Sequence, residues 1–560
     1  MDIKLVWDLL FMFGGVAVMM IGMRIMGNAL EMIAGGGMKK MLGKVTNNRF
    51  AGIGIGLGVT SIIQSSTATT VMLVGFVNIG LLTLMQATNV IMGANIGTTV
   101  TAHIVSLSGV FDIGAIAAFI GLVGVMMSML SKNKTVINVG NILAGFGLIF
   151  IGLEFISTYA TKIMFIGGDK TKPQAFVQTV FQGDHFPLLL ILIGIVITAL
   201  VHSSSTITSL MVVLCSIDVL TFDNALFLAL GSNIGTCITS IMSSVGTNTN
   251  AKRTAVIHLS FNTVGCLIFL APLWIFKQHV VSLFASISGD VGQQLAIFHT
   301  LFNVATTLLL LPFVNILVKL ICKIIPDKKD GKEDDVMQLD FIDDRLLNTP
   351  PIAVSYTKQE IIKMGSIAKE NINLATDMLF DSKVDNNAII RKNEEKLNFL
   401  NKAITAYLTK LINKDLSEID DKKIGSYYHV VSDLERVGDY AENILEYSLR
   451  LRQENVDFSD EARAELTNLV NKINELYDKT ILAFDNRDTT LIPAVKDIEE
   501  EIDDIAVSLE GRHIERVKKG ACTAQLGSIY LQTVSNLERV ADHITNVALS
   551  IKQYKAQKEN

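Results

Sequence analysis

Apolar and polar positions divide the chain into two unlike halves. Before about residue 325, long apolar runs are broken by short polar ones; after about 355, apolar residues recur every three or four positions with charges between them. The first pattern predicts helices that cross a bilayer, since about 20 apolar residues are needed to span its hydrocarbon. The second predicts amphipathic helices packed on one another in water. Residues 5–23 form the first apolar stretch. Asp8 lies in its start and no small-residue cleavage site follows, so it reads as a retained helix. Arg24, Glu31, Lys39, Lys40, Lys44 and Arg49 mark a mixed segment broken at Gly35-Gly36-Gly37, expected to be interfacial or a loop. Apolar segments follow at about 51–108, 113–130, 136–158, 187–246, 255–276 and 293–325, with a polar connector over 159–186. This pattern predicts roughly eight crossings plus two re-entrant pairs.

One polar stretch stands out against that background. Gln64-Ser65-Ser66-Thr67-Ala68-Thr69-Thr70 sits in a run from Ala51 to Phe111 without a single Asp, Glu, Lys or Arg. A second copy, His202-Ser203-Ser204-Ser205-Thr206-Ile207-Thr208, lies 138 residues later. The same offset relates Gly93-Ala94-Asn95-Ile96-Gly97-Thr98 to Gly231-Ser232-Asn233-Ile234-Gly235-Thr236. Two matched clusters in one register mark a duplicated module.

The chemistry follows from the setting. An unpaired polar group in hydrocarbon costs several kcal/mol, so a hydroxyl-dense break at membrane depth must be buried in protein or line a wet cavity. Small residues and hydroxyls also serve plain helix packing, but duplicated, interrupted segments point to a transporter's substrate site. Neutral hydroxyls beside helix N-termini can hold an oxyanion. Carbonyls and hydroxyls of the same breaks can hold a small hard cation such as sodium. The glycines at 52, 54, 56 and 58 favour close backbone approach. They lack the strand–turn–helix context of a dinucleotide site.

A smaller echo pairs Ala255–Asn262 with Ala296–Asn303; each carries a His and an Asn four residues apart, hence on one helix face. Adjoining no hydroxyl cluster in the sequence, they read as hydrogen bonds between helices. Lys319, Lys323, Lys328 and Lys329 flank the end of the membrane part and place that end in the cytoplasm. A polar, acidic linker, 326–354, leads to the helical region 355–555. There, Ser432–Asn443 matches Ser535–Asn546 at an offset of 103 residues, and Glu394-Glu395 echoes Glu499-Glu500 at nearly that spacing. Two three-helix bundles in tandem explain the repeat. Glu435 with Asp439, and Glu538 with Asp542, put two carboxylates on one face, and Asn443 and Asn546 extend each row. Such oxygen donors suit a hard divalent cation or iron; a solvated acidic face with Arg436 and Arg539 as partners is the other possibility.

Composition adds little more. The net charge of −6 averages two unlike halves, and no basic patch with interleaved aromatics suggests nucleic acid. Cys215, Cys237, Cys266, Cys322 and Cys522 form no Cys-x-x-Cys pair and read as packing residues, with the soluble part in a reducing compartment. No nucleophile–base constellation supports an enzyme.

With their Gln-Ser-Ser and His-Ser-Ser motifs and the Gly-Ala-Asn-Ile-Gly-Thr element, the two modules resemble the type II sodium–phosphate cotransporter family over about 1–325. The two Leu-Glu-Arg-Val-x-Asp helices give residues 355–555 a resemblance to a PhoU-like domain. The resemblance implies an all-α, polytopic membrane fold of inverted repeats with re-entrant hairpins, a homodimer in the cell membrane, and a cytoplasmic regulatory domain. It implies sodium-driven uptake of inorganic phosphate by alternating access. Carried over by position, Gln64, Ser65, Ser66, Thr67, Ser203, Ser204 and Ser205 would line the phosphate site. His202 departs from the expected second glutamine; a neutral imidazole can still donate to phosphate. Thr69, Asn95, Thr98, Thr208, Asn233 and Thr236 would complete the hairpin tips and hold sodium. In the PhoU-like part Glu435, Asp439, Glu538 and Asp542 would bind metal. The alternatives are a membrane phosphate sensor, in which the soluble domain relays the signal, and a sodium-coupled transporter of another oxyanion.

Overall fold

The computed structural model describes residues 3–42, 48–110, 114–165, 174–327, 337–414, 416–520 and 522–551 of the 560. Among them every regular element is helical. The chain divides into two units, Met1–Lys332 and Glu333–Asn560.

The first unit opens with α1 (Ile3–Leu42), which runs unbroken through Gly35-Gly36-Gly37, where the sequence suggested an interruption. Glycine lowers helix propensity by about 1 kcal/mol per residue without forbidding the helix. The first module follows. Asn48 starts α2 (Arg49–Ile63) by accepting from the Phe50 and Ala51 amides. Next come α3 (Ser66–Asn78), then α4 (Leu84–Gly97), opened by a capping box between Thr83 and Gln86. A single residue, Thr98, separates α4 from α5 (Thr99–Val110). Three helices, α6 (Gly114–Leu130), α7 (Lys134–Met164) and α8 (Ala175–Gln182), lie before the second module. That module comprises α9 (Pro187–Val201), α10 (Ser204–Ser216), α11 (Phe222–Gly235) and α12 (Cys237–Ser243). The unit ends with α13 (Thr249–Ile275), α14 (Lys277–Ile287), α15 (Val291–Leu310) and α16 (Val314–Ile324).

Six stretches among the described residues are long and apolar enough to cross a membrane: Ile3–Ile33, Leu84–Leu107, Lys134–Met164, Phe222–Ser243, Thr249–Ile275 and Val291–Ile324. That is fewer than the roughly eight read from hydropathy. α2, α3, α9 and α10 have 15, 13, 15 and 13 residues. At 1.5 Å per residue each reaches only about 20 Å, short of a bilayer's ~30 Å core. Each pair therefore dips in and returns.

Close glycine contacts fix the directions of the helices. Along α2 and α4, Gly52 meets Asn89, Gly56 meets Val90, and Gly97 meets Leu57 and Thr60, so the two run parallel. α9 and α11 repeat this: Gly194 meets Leu228, and Gly235 meets Ile195 and Thr198. α3 packs on α12, and α5 packs on α10. α13 packs on α3, α4 and α12, as α15 does on α10, α11 and α5. These are the contacts of two interlocked copies related by a local two-fold. The copies are also inverted. α5 continues the direction of α4, and so of α2, beyond the turn at Gln64. α10 starts near that turn and lies along α5, so it runs the way α2 does; α9, its hairpin partner, runs the opposite way.

Among the described residues the second unit holds six α-helices: α17 (Pro350–Phe380), α18 (Asn387–Ile412), α19 (Glu418–Glu454), α20 (Asp460–Asn486), α21 (Ile492–Lys518) and α22 (Ala524–Leu549). They pack as two sets of three, joined through α17 with α20 and α19 with α22. Part of the region read as linker is bound to the first set. The Phe341 amide donates to Glu360 Oε2 at 2.6 Å, and the Tyr407 hydroxyl donates to the Asp343 carbonyl at 3.1 Å. α17 itself begins at Pro350, a residue suited to the first helical position because its missing N–H has no helical partner to lose.

The α2–α4 seam admits no side chain on Gly93, whose Cβ would collide with the Ile53 carbonyl oxygen, whereas nothing lies within 4 Å of a Cβ on Gly54. Gly93→Leu is expected to destabilise the protein by about 3 kcal/mol or more, and Gly54→Ala to leave it unchanged or slightly more stable. Melting of the detergent-purified variants, followed by size-exclusion chromatography, measures the contrast.

Candidate functional site

Both serine-rich stretches form the tips of the short hairpins. α2 ends where Gln64 turns into the left-handed region (φ 59°, ψ 22°), with its amide donating to the Thr60 carbonyl at 2.8 Å. Ser65 is extended, and its hydroxyl accepts from the Ala68 amide at 3.1 Å to open α3. The second tip repeats the geometry. His202 (φ 58°, ψ 22°) donates to the Thr198 carbonyl at 2.9 Å, and the Ser203 hydroxyl accepts from the Thr206 amide at 3.2 Å. A side chain in that region is held against roughly 1–2 kcal/mol of strain, so matched outliers mark a constrained turn. Gln64 is also tied by its side chain. Its Nε2 donates to the Ser61 carbonyl at 2.6 Å, and its Oε1 accepts from the Thr101 hydroxyl at 2.7 Å. His202 is exposed.

The two tips meet. Thr67 Oγ1 lies 3.5 Å from the His202 carbonyl oxygen. α3 and α10 therefore begin at one place and run away from it. The first amides of each helix have no partner within their own helix, and each helix dipole is positive at that end. Ser66, Ser204 and Ser205 are buried there, while Gln64, Ser65, Thr67 and Ser203 are half-buried. Neither hairpin carries a Lys, Arg, Asp or Glu between Phe50 and Asn78 or between Pro187 and Ser216. Hydroxyls and backbone amides gathered with no charged side chain in either hairpin can hold an anion whose charge is met by dipoles.

Among the other motif residues, Asn95, Thr98, Asn233 and Thr236 lie beside the tips rather than at them. Thr69 and Thr208 lie in the first turns of α3 and α10, and Asn95, Thr98, Asn233 and Thr236 belong to the crossing helices beside them. The reason is local: Thr98 and Thr236 keep right-handed φ/ψ, so the chain barely pauses there. Thr98 and Thr236 hydroxyls donate back to the Ala94 and Ser232 carbonyls at 3.0 and 2.9 Å. Thr69 accepts from Thr60 at 3.1 Å, while the Thr208 hydroxyl is buried without a partner. The Asn95 amide donates to Asn262 Oδ1 at 2.9 Å, and the Asn233 amide to Asn303 Oδ1 at 3.2 Å. His299 Nε2 is 3.2 Å from Asn233 Oδ1, and His258 Nδ1 is 3.1 Å from the Ser240 hydroxyl. The His/Asn echo thus bonds between helices as its sequence suggested. It also adjoins the motif helices, which sequence order did not show.

In the second unit, carboxylates gather between helices. Oxygens of Glu499, Asp503 and Asp542 lie within 4.8 Å of one another, spanning α21 and α22. Glu538 faces Asp503 and Asp542; burial and then those carboxylates hold its acid above the usual range. In the other three-helix set, Glu394 of α18 faces Asp439, Glu442 and Glu435 of α19. Burial first, and then these neighbours, push its acid up to about 7. Glu394 is 6% exposed, and its Oε2 has no partner. The acidic faces of α19 and α22 are met by Glu394 of α18 and by Glu499 and Asp503 of α21. An orphaned buried carboxylate oxygen among other carboxylates fits a hard cation held by oxygen donors.

The sequence profile described as Na+/Pi-cotransporter matches residues 18–158 and 159–317. The chain belongs to the Na+/Pi-cotransporter family. A PhoU domain profile matches 361–448 and 466–551. The chain is 23% identical over 557 residues to YjbB of Salmonella typhimurium, a candidate inorganic phosphate export protein, covering 98% of both chains. It is 30% identical over 307 residues to YqeW of Bacillus subtilis, an uncharacterised protein, covering 55% of this chain and 95% of that one. It is 30% identical over 199 residues to the sodium-dependent phosphate transport protein 2B of Pongo abelii, covering 33% of this chain and 27% of that one.

For this Na+/Pi-cotransporter family member, sequence reasoning missed the ties that hold the motif. Thr101, Asn262 and Asn303 lie outside the repeated clusters. Asn262 and Asn303 had a signal, the second internal repeat, but not one that said which helix they met. In the PhoU domain Asp503 was missed because its counterpart in the repeat is Asn398, an amide that donates to Glu394 Oε1 at 3.0 Å.

The raised Glu394 acid makes the folded domain hold a proton that the unfolded chain has lost between about pH 4.5 and 7. Domain stability therefore falls as pH rises through that window. In chelator, Glu394→Gln is expected to stabilise the domain at pH 8 by on the order of 2 kcal/mol and to flatten the difference between pH 5.5 and 8. Thermal melts at the two pH values check this.

Proposed function

We propose that the chain is a sodium-coupled carrier of inorganic phosphate in the cell membrane, working by alternating access, with a cytoplasmic PhoU-like regulatory domain. The single observation that carries this reading is the meeting of the two hairpin tips, Thr67 Oγ1 against the His202 carbonyl. Two inverted modules that share one polar centre can rock about it, so that the centre opens to one side and then the other. Phosphate would be held by the Ser66, Thr67, Ser204 and Ser205 hydroxyls and by the amides that open α3 and α10, with Gln64, Ser65, His202 and Ser203 around it. Sodium would be held by neutral oxygens beside the tips, where the unpartnered Thr208 hydroxyl supplies a donor and Thr69, Thr98 and Thr236 keep lone pairs free. The basic flank after α16 supports a cytoplasmic second unit.

Direction is a separate matter. Similarity to YjbB runs through both units, and that protein's name speaks of export. A symporter is reversible, so the sodium and phosphate gradients decide net flow. The carboxylates of the PhoU domain we read as cation-binding: Glu499, Asp503, Glu538 and Asp542 in one set, and Glu394, Glu435 and Asp439 in the other. A bound cation would relieve the repulsion among them.

Proteoliposomes containing the full chain test the reading. Labelled phosphate should accumulate down an imposed inward sodium gradient, leave preloaded vesicles under an outward one, and stay put with potassium in place of sodium. Phosphate binding without flux would favour a sensor instead. Ser66→Ala and Ser204→Ala each remove a donor to a charged oxyanion, worth about 1.5–3 kcal/mol, so flux should drop ~10- to 100-fold. Melting temperature should barely move, and normal flux in either variant would remove these serines from the site.

A further inference from the structure

The apolar span Ile3–Ile33 of α1 carries one acid deep in the protein. Glu31 is 9% exposed, and its Oε1 has no hydrogen-bond partner. No ion pair to it occurs among the described residues. A bare carboxylate inside a membrane protein is costly and marks a functional position.

The surroundings say what would fill that position. One turn before Glu31, on the same face, Gly27 packs on the end of α2: a Cβ there would stand 3.1 Å from the Ile63 carbonyl oxygen. Helical side chains lean toward the N-terminus, so the Glu31 carboxylate reaches back over the Gly27 turn. That lean directs it toward the place where α2 stops. There the Thr60 and Ser61 carbonyls accept from Gln64, but the Ile62 and Ile63 carbonyls receive no backbone hydrogen bond from the turn that follows. The buried Ser61 hydroxyl has no partner either. Orphan carbonyls and a negative dipole end favour a cation.

We propose that Glu31 and the Ile63 carbonyl at the C-terminal end of α2 hold a small hard cation beside the first hairpin tip. Sodium is the cation that the transport reading supplies, and the proposal rests on that reading for the ion's identity alone. The break at Gln64-Ser65 then serves both charges. The C-terminal end of α2 and Glu31 take the cation, and the N-terminal end of α3, two residues on, faces the anion. A cation bound there offsets the charge of an arriving oxyanion, which couples the two ligands without any basic side chain.

Binding of radioactive sodium to the purified full chain in detergent tests this, with wild type, Glu31→Gln and Glu31→Asp compared. Glu31→Gln, close in shape, should weaken sodium binding at least ~10-fold or remove one ion per chain, as expected when a buried charge partner is lost. Glu31→Asp keeps the charge but withdraws it by one methylene, and should weaken binding about threefold or more. If Glu31→Gln does not fold, the Asp variant decides, and unchanged affinity in it overturns the site. Unchanged binding in a folded Gln variant, or no sodium binding by wild type, also overturns it. The transport reading fails separately. Sodium-independent phosphate flux in wild-type vesicles, with Glu31-dependent sodium binding, sinks the coupling and leaves the site standing. Sodium-driven flux in wild type, with sodium binding indifferent to Glu31, does the reverse.

Discussion

A helix that stops inside hydrocarbon leaves backbone groups with no partner, and no water is there to take them. The first unit is arranged around that constraint. Both hairpins stop at membrane depth, and the structure brings the two stops together, Thr67 Oγ1 against the His202 carbonyl. Orphan amides of α3 and α10 then share one polar centre. The glycine seams follow from this. Tips can meet only if α2 and α9 press tightly on α4 and α11, and Gly56, Gly93, Gly194 and Gly231 remove the side chains that would prevent it. The one-residue pause at Thr98 and Thr236 lets each crossing helix pass the tip and continue beside the other module.

Symmetry in the backbone is not matched in the side chains. Gln64 is bound to Ser61 and Thr101, whereas the side chain of His202 is exposed. Thr60 donates to Thr69 within its own hairpin, but its counterpart Thr198 donates across to Ser232 on the crossing helix. Each tip is thus tied to a crossing helix through a different side chain, Gln64 to Thr101 in the first and Thr198 to Ser232 in the second. In the alternating-access mechanism proposed for the chain, two states of nearly equal energy are needed, and such differences between the modules would bias their balance.

Much of this is legible in the residues because duplication is a strong signal: the 138-residue offset relates the two stretches that form the tips. What failed was anything that depends on three-dimensional neighbours. Local propensity predicts a break at Gly35-Gly36-Gly37, whereas α1 continues through it, since glycine weakens a helix without forbidding it. Glu31 was therefore assigned to an interface rather than to the interior. The family resemblance implies that Asn95 and Asn233 complete the hairpin tips, whereas parallel packing of α2 with α4 and of α9 with α11 puts them alongside. The His/Asn echo showed a repeat but not its partners, since a helix face has a period and no address.

The second unit faces the opposite problem, too much charge of one sign rather than too little. Its two halves answer it differently. In α18 the residue one turn after Glu394 is Asn398, which donates to the carboxylate and removes one negative charge from the group. In α21 the equivalent residue is Asp503, and three carboxylates stand within 4.8 Å of one another. Like charges so placed raise the acids of Glu499, Asp503 and Glu538, with burial the larger cause in each. Unless protons or a cation relieve it, this arrangement destabilises the half that carries it. The repeat that made the domain recognisable has therefore kept its fold in both halves while letting their electrostatics diverge, so the two faces are unequal in their demand for positive charge.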